Sequence, residues 1–136
     1  MKRPPAVIVH GLGHAAAALA PGQPVILLSA PGAGWYAGAA WWLALTGAAR
    51  ALHPATPCED YLDCGDFAGA AMVGLRLGQP GLVLCRSCPA FATVAAIAEG
   101  LGRTLLDTAP PALDFAHPAA SHRLPAWLAG DPQPVK

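Results

Sequence analysis

Short aliphatic runs alternate with longer segments rich in alanine and glycine along most of the chain. The runs are rich in Val, Ile and Leu, are apolar on both faces, and occupy residues 6–9, 25–29, 61–64, 81–85 and 103–107. Parallel strands that are covered by helices have this pattern. Alternation of such strands with helices indicates successive βαβ units. The pattern therefore predicts about five strands with a helical segment between each pair.

Glycine and proline positions support this division. The segments 78–81 (GQPG) and 100–102 (GLG) each end a helical stretch before the next run, as C-terminal glycines commonly do. Pro89 suits the first position of a helix. The predicted fold class is α/β: a single small domain, residues 1–108, with a mostly parallel sheet and helices packed on it. Both a doubly wound sheet and half of a β/α-barrel fit this order of elements.

The chain changes character after Asp107. Residues 109–136 are rich in proline and carry scattered large apolar side chains, among them Phe115 and Trp127. Composition alone indicates a flexible tail. We interpret the segment as an extended C-terminal arm whose aromatic side chains dock on the same domain or on a neighbouring subunit.

A long stretch without charge raises the question of a membrane segment. No charged residue lies between Ala15 and Ala49, but several prolines and glycines interrupt this stretch. The longest unbroken helical piece begins at Trp35 and falls short of the roughly 20 residues that a bilayer requires. We predict one helix over residues 35–52, apolar around most of its circumference and covered on both sides. Its tryptophan pair, Trp41 and Trp42, is a second choice as a ligand platform.

Composition bears on the expected partners. Charged residues make up 12% of the 136 residues, hydrophobic residues make up 54%, and the formal net charge is zero. Nothing in this balance attracts nucleic acid or an acidic membrane. The small number of charges predicts that part of the surface is buried in a homo-oligomer. The basic N-terminus leads into two prolines without a secretory signal, so we expect a soluble cytoplasmic protein.

Polar residues follow the predicted strands and locate a candidate site. His10, Ser29, Asp63 and Arg86 each stand at or just after the end of a run. The carboxyl ends of parallel strands meet at one edge of a sheet, so these side chains are predicted to converge there. His10 and Asp63 are the candidate general bases if the protein is an enzyme. The remaining candidate ligand-binding residues are Ser29, Gly32, Gly34, Asp66 and Arg86.

Two of these assignments have structural alternatives. Gly32 and Gly34 belong to GAGWYA, which fits G-x-G-x-x-A, and so does GLGHAA at residues 11–16. Such loops bring backbone N–H groups close to a phosphate, but they also form tight turns between a strand and a helix, which is the interpretation that we favour. Asp66 precedes a helical segment and equally suits a helix cap.

The cysteines leave three interpretations open. Cys85 and Cys88 form a C-x-x-C pair between a strand and a helix, as in thiol redox sites. Together with Cys58 and Cys64 they also offer four thiols for zinc, although a single paired spacing is weak support. The third interpretation is that all four are small buried residues. We assign no metal ligand, and the sequence identifies no cofactor.

These observations favour a protein that binds a small polar or anionic ligand at the carboxyl edge of its sheet. A homo-oligomeric structural or interaction module is the main alternative, and a C-x-x-C redox protein is a minor one. Convergence of the polar residues around an open cavity would favour ligand binding. Their mutual pairing in a filled edge would favour the interaction module.

Overall fold

Six strands and six helices form residues 3–130, which are the residues that the computed structural model describes. The strands are β1 (Ala6–Ile8), β2 (Val25–Leu28), β3 (Cys58–Asp63), β4 (Gly81–Val83), β5 (Thr104–Leu106) and β6 (Ala112–Asp114). The helices are α1 (Leu12–Leu19), α2 (Ala33–Tyr36), α3 (Ala39–Leu52), α4 (Ala68–Leu77), α5 (Phe91–Gly100) and α6 (Ala120–Leu128). The five strands predicted from the aliphatic runs are all present.

The strands form one sheet in the order β5-β4-β3-β2-β1-β6, and every neighbouring pair is parallel. The predicted α/β class with a parallel sheet is therefore confirmed. Because all six strands run the same way, their carboxyl ends lie along one edge. The residues that follow each strand are gathered at that edge.

The helices cover one face of the sheet. Alternate strand residues such as Val7, Leu27 and Leu62 enter a large core with side chains from α1, α3, α4, α5 and α6. The intervening residues, such as Ile26 and Tyr61, enter a smaller cluster on the other face, against which Ala109 packs. This one-sided arrangement corresponds to the half-barrel form of the prediction rather than to a doubly wound sheet.

The connection from β5 to β6 shows that the sheet is strongly curved. These strands lie at opposite edges, and only residues 107–111 join them. In a flat sheet the two edges would be about 24 Å apart at the usual strand spacing. The six Cα steps of the connection reach about 20–22 Å when fully extended. The edges must therefore curve toward each other, with Ala109 of the connection crossing the small concave face.

The expected C-terminal arm folds into the domain over most of its length. Its strand β6 pairs with β1, and α6 places Leu124 and Leu128 in the helix-side core. The Trp127 Nε1–H donates to the Ala6 carbonyl oxygen at 2.7 Å. Proline-rich composition suggested an extended segment, but β1 offers a free edge, and the scattered apolar residues fill the core beside it. Residues 131–136 lie outside the described residues.

The helix predicted over residues 35–52 is broken. Gly38 has a φ of +90°, a conformation that favours glycine, and it separates α2 from α3. Trp42 is fully buried in the core, whereas Trp41 is 37% exposed. The described chain thus covers one side of α3 and leaves part of the other side open. Among residues 3–130 no helix combines the length and the apolar character needed to cross a membrane.

Asp60 of β3 forms an ion pair with Arg50 in which the carboxylate is buried and the guanidinium is partly exposed. Asp60 is 1% exposed and accepts hydrogen bonds from Arg50 Nη2 at 2.6 Å and from Gln79 Nε2 at 2.7 Å. Burial lowers the pKa of Arg50, but the hydrogen bond and the charge of Asp60 outweigh it, so the pKa lies above its ordinary value. Asp60 therefore anchors α3 to the sheet, while Asp63 at the end of the same strand is left to the carboxyl edge.

Candidate functional site

Asp63 joins two loops at the carboxyl edge. Its Oδ1 accepts the N–H of Gly32 at 3.2 Å and the N–H of Gly65 at 2.9 Å. Its own N–H donates to the Ser29 hydroxyl at 2.8 Å, and that hydroxyl donates to the Ala30 carbonyl. Ser29 is fully buried and Asp63 is 8% exposed. These two predicted site residues thus brace the loops that follow β2 and β3.

The glycine-rich loop after β2 is a close-packed turn. Gly32 has a φ of +74°, and its N–H is already donated to Asp63. A Cβ at Gly34 would lie 2.8 Å from the Cys64 sulfur and 3.2 Å from the Asp63 carbonyl oxygen. The backbone conformation at Gly32 and the close packing at Gly34 therefore both favour glycine. The helix that follows this turn, α2, is only four residues long.

His10 pairs with a residue from the far end of the chain. Its Nε2 lies 2.7 Å from Asp114 Oδ1, at the end of β6. The His10 backbone N–H donates to His14 Nδ1 at 3.2 Å. Partial burial, the largest single influence, raises the pKa of Asp114, but hydrogen bonds from the Ala116 N–H and from His10 together hold it below its ordinary value. The histidine is partly exposed and stands beside an ionised carboxylate, an arrangement that supports proton transfer.

Arg86, which follows β4, forms an ion pair with Asp107, which follows the neighbouring strand β5. Its Nε and Nη2 contact Asp107 Oδ2 at 2.9 and 2.8 Å, and its guanidinium carbon lies 5.0 Å from the Phe91 ring centroid. The hydrogen bond from Arg86 lowers the pKa of Asp107. Arg86 remains 72% exposed. Its charge is shared with Asp107, so it is not a free anion clamp.

A cavity opens among helix ends on the helix-covered side of this edge, and we call it the helix-end cavity. It measures about 720 Å³ and is lined by Gly34 and Trp35, by Gly38 and Ala39, by residues 66–70 and Val73, and by residues 88–90. The Trp35 and Phe67 rings stack at its rim with centroids 4.8 Å apart and planes 18° apart. They are 61% and 43% exposed. The cavity therefore offers an aromatic surface open to solvent.

Asp66 supplies a carboxylate to this cavity. It lies in the wall and is exposed, and the cap position of α4 is taken by Phe67, which makes no side-chain cap hydrogen bond. The helix-cap interpretation of Asp66 therefore does not describe α4. Gly34 and Asp66 are the two predicted ligand-binding residues that line the helix-end cavity.

The predicted site residues thus share one edge but fall into separate groups. Ser29, Gly32 and Asp63 connect the loops after β2 and β3. His10 pairs with the carboxylate at the end of β6, Arg86 pairs with the carboxylate just after β5, and two other residues line the cavity. Sequence reasoning did not find Asp107, Asp114 or the Trp35–Phe67 stack. Trp35 and Phe67 directly follow the glycine loop and the DCGD segment, and those loop positions were the available signal.

The four cysteines, all within the described residues, are free thiols. Within residues 3–130, no group of three or more His, Cys, Asp or Glu side chains is placed to hold a metal ion. Compared with models of protein families and with curated proteins, the sequence matches neither a family nor an individual protein.

Proposed function

We propose that the protein binds a small molecule with an aromatic or apolar body and an anionic group in the helix-end cavity. The observation that carries this proposal is the cavity itself, about 720 Å³ with the exposed Trp35–Phe67 stack at its rim. Its volume lies within the range of roughly 300–1,000 Å³ that is typical of small-molecule sites. An aromatic ligand ring adds a third layer to the stack, in the offset geometry that aromatic pairs prefer.

Three helix N-termini support the anionic part of the ligand. Wall residues of the cavity open α3, α4 and α5, which are 14, 10 and 10 residues long. In these three helices the described first turns carry no acidic residue and no side-chain cap. N–H groups of the first helical turns and the positive end of each helix dipole favour a negative group there, although the first N–H of α5, that of Phe91, already donates to the Cys88 carbonyl oxygen.

Asp66 narrows the ligand class further. Its exposed carboxylate lies in the same wall and partly offsets the attraction of the three helix ends for a ligand that carries negative charge alone. A ligand that places an N–H or O–H donor beside Asp66 and its anionic group beside the helix ends interacts favourably with the carboxylate and with the helix N-termini. The roles of His10 and Asp63 as general bases stay predictions, since both side chains are engaged away from the cavity wall. The four free thiols suit the cytoplasmic location that we propose.

The test compares probes that share a ring and differ in charge. Phenyl phosphate, benzoate and neutral benzyl alcohol are titrated into the protein and followed by calorimetry and saturation-transfer NMR. We expect the two anions to bind more tightly than the alcohol. Trp35→Ala should weaken phenyl phosphate binding about tenfold, the equivalent of about 1.4 kcal/mol, which lies within the range for aromatic stacking.

Tyr36→Ala is the matched control. Tyr36 is 62% exposed, next to Trp35 in the chain, and is not part of the cavity wall. The control should keep wild-type affinity, and circular dichroism should show that both variants are folded. Equal loss in both variants, or no saturable binding of any probe to the wild-type protein, would remove the ligand proposal.

Self-association is a second candidate function, favoured by apolar exposure around the same place. The exposed large side chains near the cavity, on α2, α3 and α4 or just before α4, include Trp35, Tyr36, Trp41, Phe67 and Val73. In a chain with 12% charged residues, such a surface suits an isologous dimer. Sedimentation equilibrium over a range of concentrations tests this. Trp41→Lys should yield a monomer if a dimer forms there, and it should leave phenyl phosphate binding intact because Trp41 is outside the cavity wall.

A further inference from the structure

We propose that Cys85 and Cys88 form a reversible disulfide and that their turn, directly after β4, is a thiol–disulfide exchange site. This inference rests on other observations than the ligand proposal, although Cys88 also lies in the wall of the helix-end cavity. It stands on two thiols that share one turn, on their contrasting exposure, and on a hydroxyl group placed against the outer sulfur.

The backbone brings the two residues within reach of each other. The Cys88 N–H donates to the Cys85 carbonyl oxygen at 3.0 Å, with residues 86 and 87 at the centre of the turn. Turns of this kind keep the first and fourth Cα atoms within about 7 Å. Disulfides span Cα distances of about 4.4–6.8 Å, so the turn brings the two Cα atoms close enough for the bond.

The two cysteines differ in accessibility in the way that stepwise exchange requires. Cys85 is exposed, whereas Cys88 is 6% exposed and belongs to the helix-side core. The Ser87 hydroxyl lies 3.0 Å from the Cys85 sulfur. Hydrogen bonds from the Ser87 side chain and backbone lower the pKa of the Cys85 thiol, against the weaker opposing charges of Asp66 and Asp107. Cys85 is therefore the attacking thiol, and Cys88 is the resolving one.

The exchange uses a low-molecular-weight disulfide as oxidant. The Cys85 thiolate attacks one sulfur of that disulfide, forms a mixed disulfide and releases one small thiolate. Cys88 then loses its proton to water, attacks the Cys85 sulfur and releases the second small thiolate. Two electrons pass from the cysteine pair to the oxidant, and the two protons lost by the cysteines are available to the released thiolates. Small dithiols reverse the reaction.

The experiment uses the full chain and glutathione disulfide as the probe. Reduced protein is incubated with the probe, the remaining thiols are blocked with N-ethylmaleimide under denaturing conditions, and digested peptides are weighed. We expect the peptide that contains residues 85–88 to lose two hydrogens and to carry neither glutathione nor maleimide. Cys58 and Cys64 should both carry maleimide. When the oxidised protein is reduced before blocking, all four cysteines should carry maleimide.

Three variants assign the roles. Cys88→Ser should stop the reaction at a glutathione adduct on Cys85, and Cys58→Ser, the matched control, should behave as the wild type. Ser87→Ala should move the pH profile of Cys85 alkylation to higher pH, which a merely structural role of Ser87 would not do. Circular dichroism reports whether each variant is folded.

The wild-type result decides the proposal even if Cys88→Ser fails to fold. A lasting glutathione adduct on Cys85 in the wild-type protein, a disulfide between two chains, or complete resistance to the probe would each overturn it. Loss of phenyl phosphate binding has no bearing on these outcomes, so the two proposals succeed or fail separately.

Discussion

At the scale of single residues, Asp63 connects the end of β3 to the glycine loop after β2. Its carboxylate accepts two backbone N–H groups, from Gly32 and Gly65, in a position that is 8% exposed. A backbone N–H that loses its acceptor in such a place costs about 1–3 kcal/mol. The shape of the carboxyl edge therefore depends on this one side chain.

We expect Asp63→Ala to lower the free energy of unfolding by about 2–3 kcal/mol, because it leaves both N–H groups without an acceptor. Urea denaturation followed by circular dichroism measures the change. Asp66→Ala, which removes an exposed carboxylate three residues later, should change stability by less than about 0.5 kcal/mol. Equal effects of the two substitutions would show that the Asp63 contacts do not stabilise the fold.

Asp114 predicts a pH dependence with a defined sign. Its folded-state pKa lies below the ordinary value of 3.8 that applies to the unfolded chain. The stabilisation is therefore fully present above pH 3.8 and is lost as the pH falls through the folded-state pKa. Wild-type protein should exceed Asp114→Asn in stability by less than about 1 kcal/mol near neutral pH, since the pair is partly exposed. Denaturation at pH values on either side of 3.8 should show this difference shrinking in acid; a constant difference would contradict it.

At the scale of elements, the contact between β3 and β4 requires a residue without a side chain. A Cβ at Gly81 would lie 2.6 Å from the Asp60 carbonyl oxygen and 2.7 Å from the Tyr61 ring. Backbone and a buried ring cannot yield easily at such distances. Gly47 is different, since a Cβ there meets nothing within 4 Å in the middle of α3.

The two glycines therefore predict opposite effects of the same substitution. Gly81→Ala should destabilise the protein by about 1–3 kcal/mol through overpacking. Gly47→Ala should stabilise it by about 0.5–1 kcal/mol, because alanine restricts the unfolded chain and favours a helix. Thermal and urea unfolding of both variants measures the contrast. A stable Gly81→Ala protein would mean that β3 and β4 can separate without cost.

The elements themselves were largely readable from the sequence, because a strand buried on both faces leaves a continuous aliphatic run. The break at Gly38 was not, since glycine in an alanine-rich segment is compatible with a helix and its φ of +90° is a property of the folded chain. The edge site was predicted only in part. Asp107 and Asp114 pair with Arg86 and His10 because of the strand order, and no local pattern encodes that order.

At the scale of the whole molecule, the two ends of the described chain are held together. β6 pairs with β1, and the Trp127 indole donates to Ala6 across a separation of 121 residues. The helical spacing of the apolar residues in α6 lies within a proline-rich segment. The proline content therefore indicated an extended arm and not a helix that packs on the core. Side chains such as Leu113 and Leu124 have a core to enter only once β1 is in place.

Trp127→Phe tests this closure with little change in apolar area. It removes the hydrogen bond to the Ala6 carbonyl and should lower the free energy of unfolding by about 0.5–1.5 kcal/mol. Trp41→Phe, on an exposed part of α3, should have a smaller effect. Equilibrium denaturation compares them, and hydrogen exchange should show faster exchange of β1 and β6 amides in Trp127→Phe alone. Unchanged exchange of these amides would show that the Trp127 hydrogen bond does not stabilise the pairing of β1 with β6.

Pairing of the first strand with the last has a consequence during translation. As the chain leaves the ribosome, β1 can join β2 early, but its other edge has no partner until residues 112–114 emerge. An open strand edge can pair with strands of other chains. A nascent chain stalled after β5 would therefore be prone to aggregate, and emergence of residues 112–114 is the event that covers the open edge of β1.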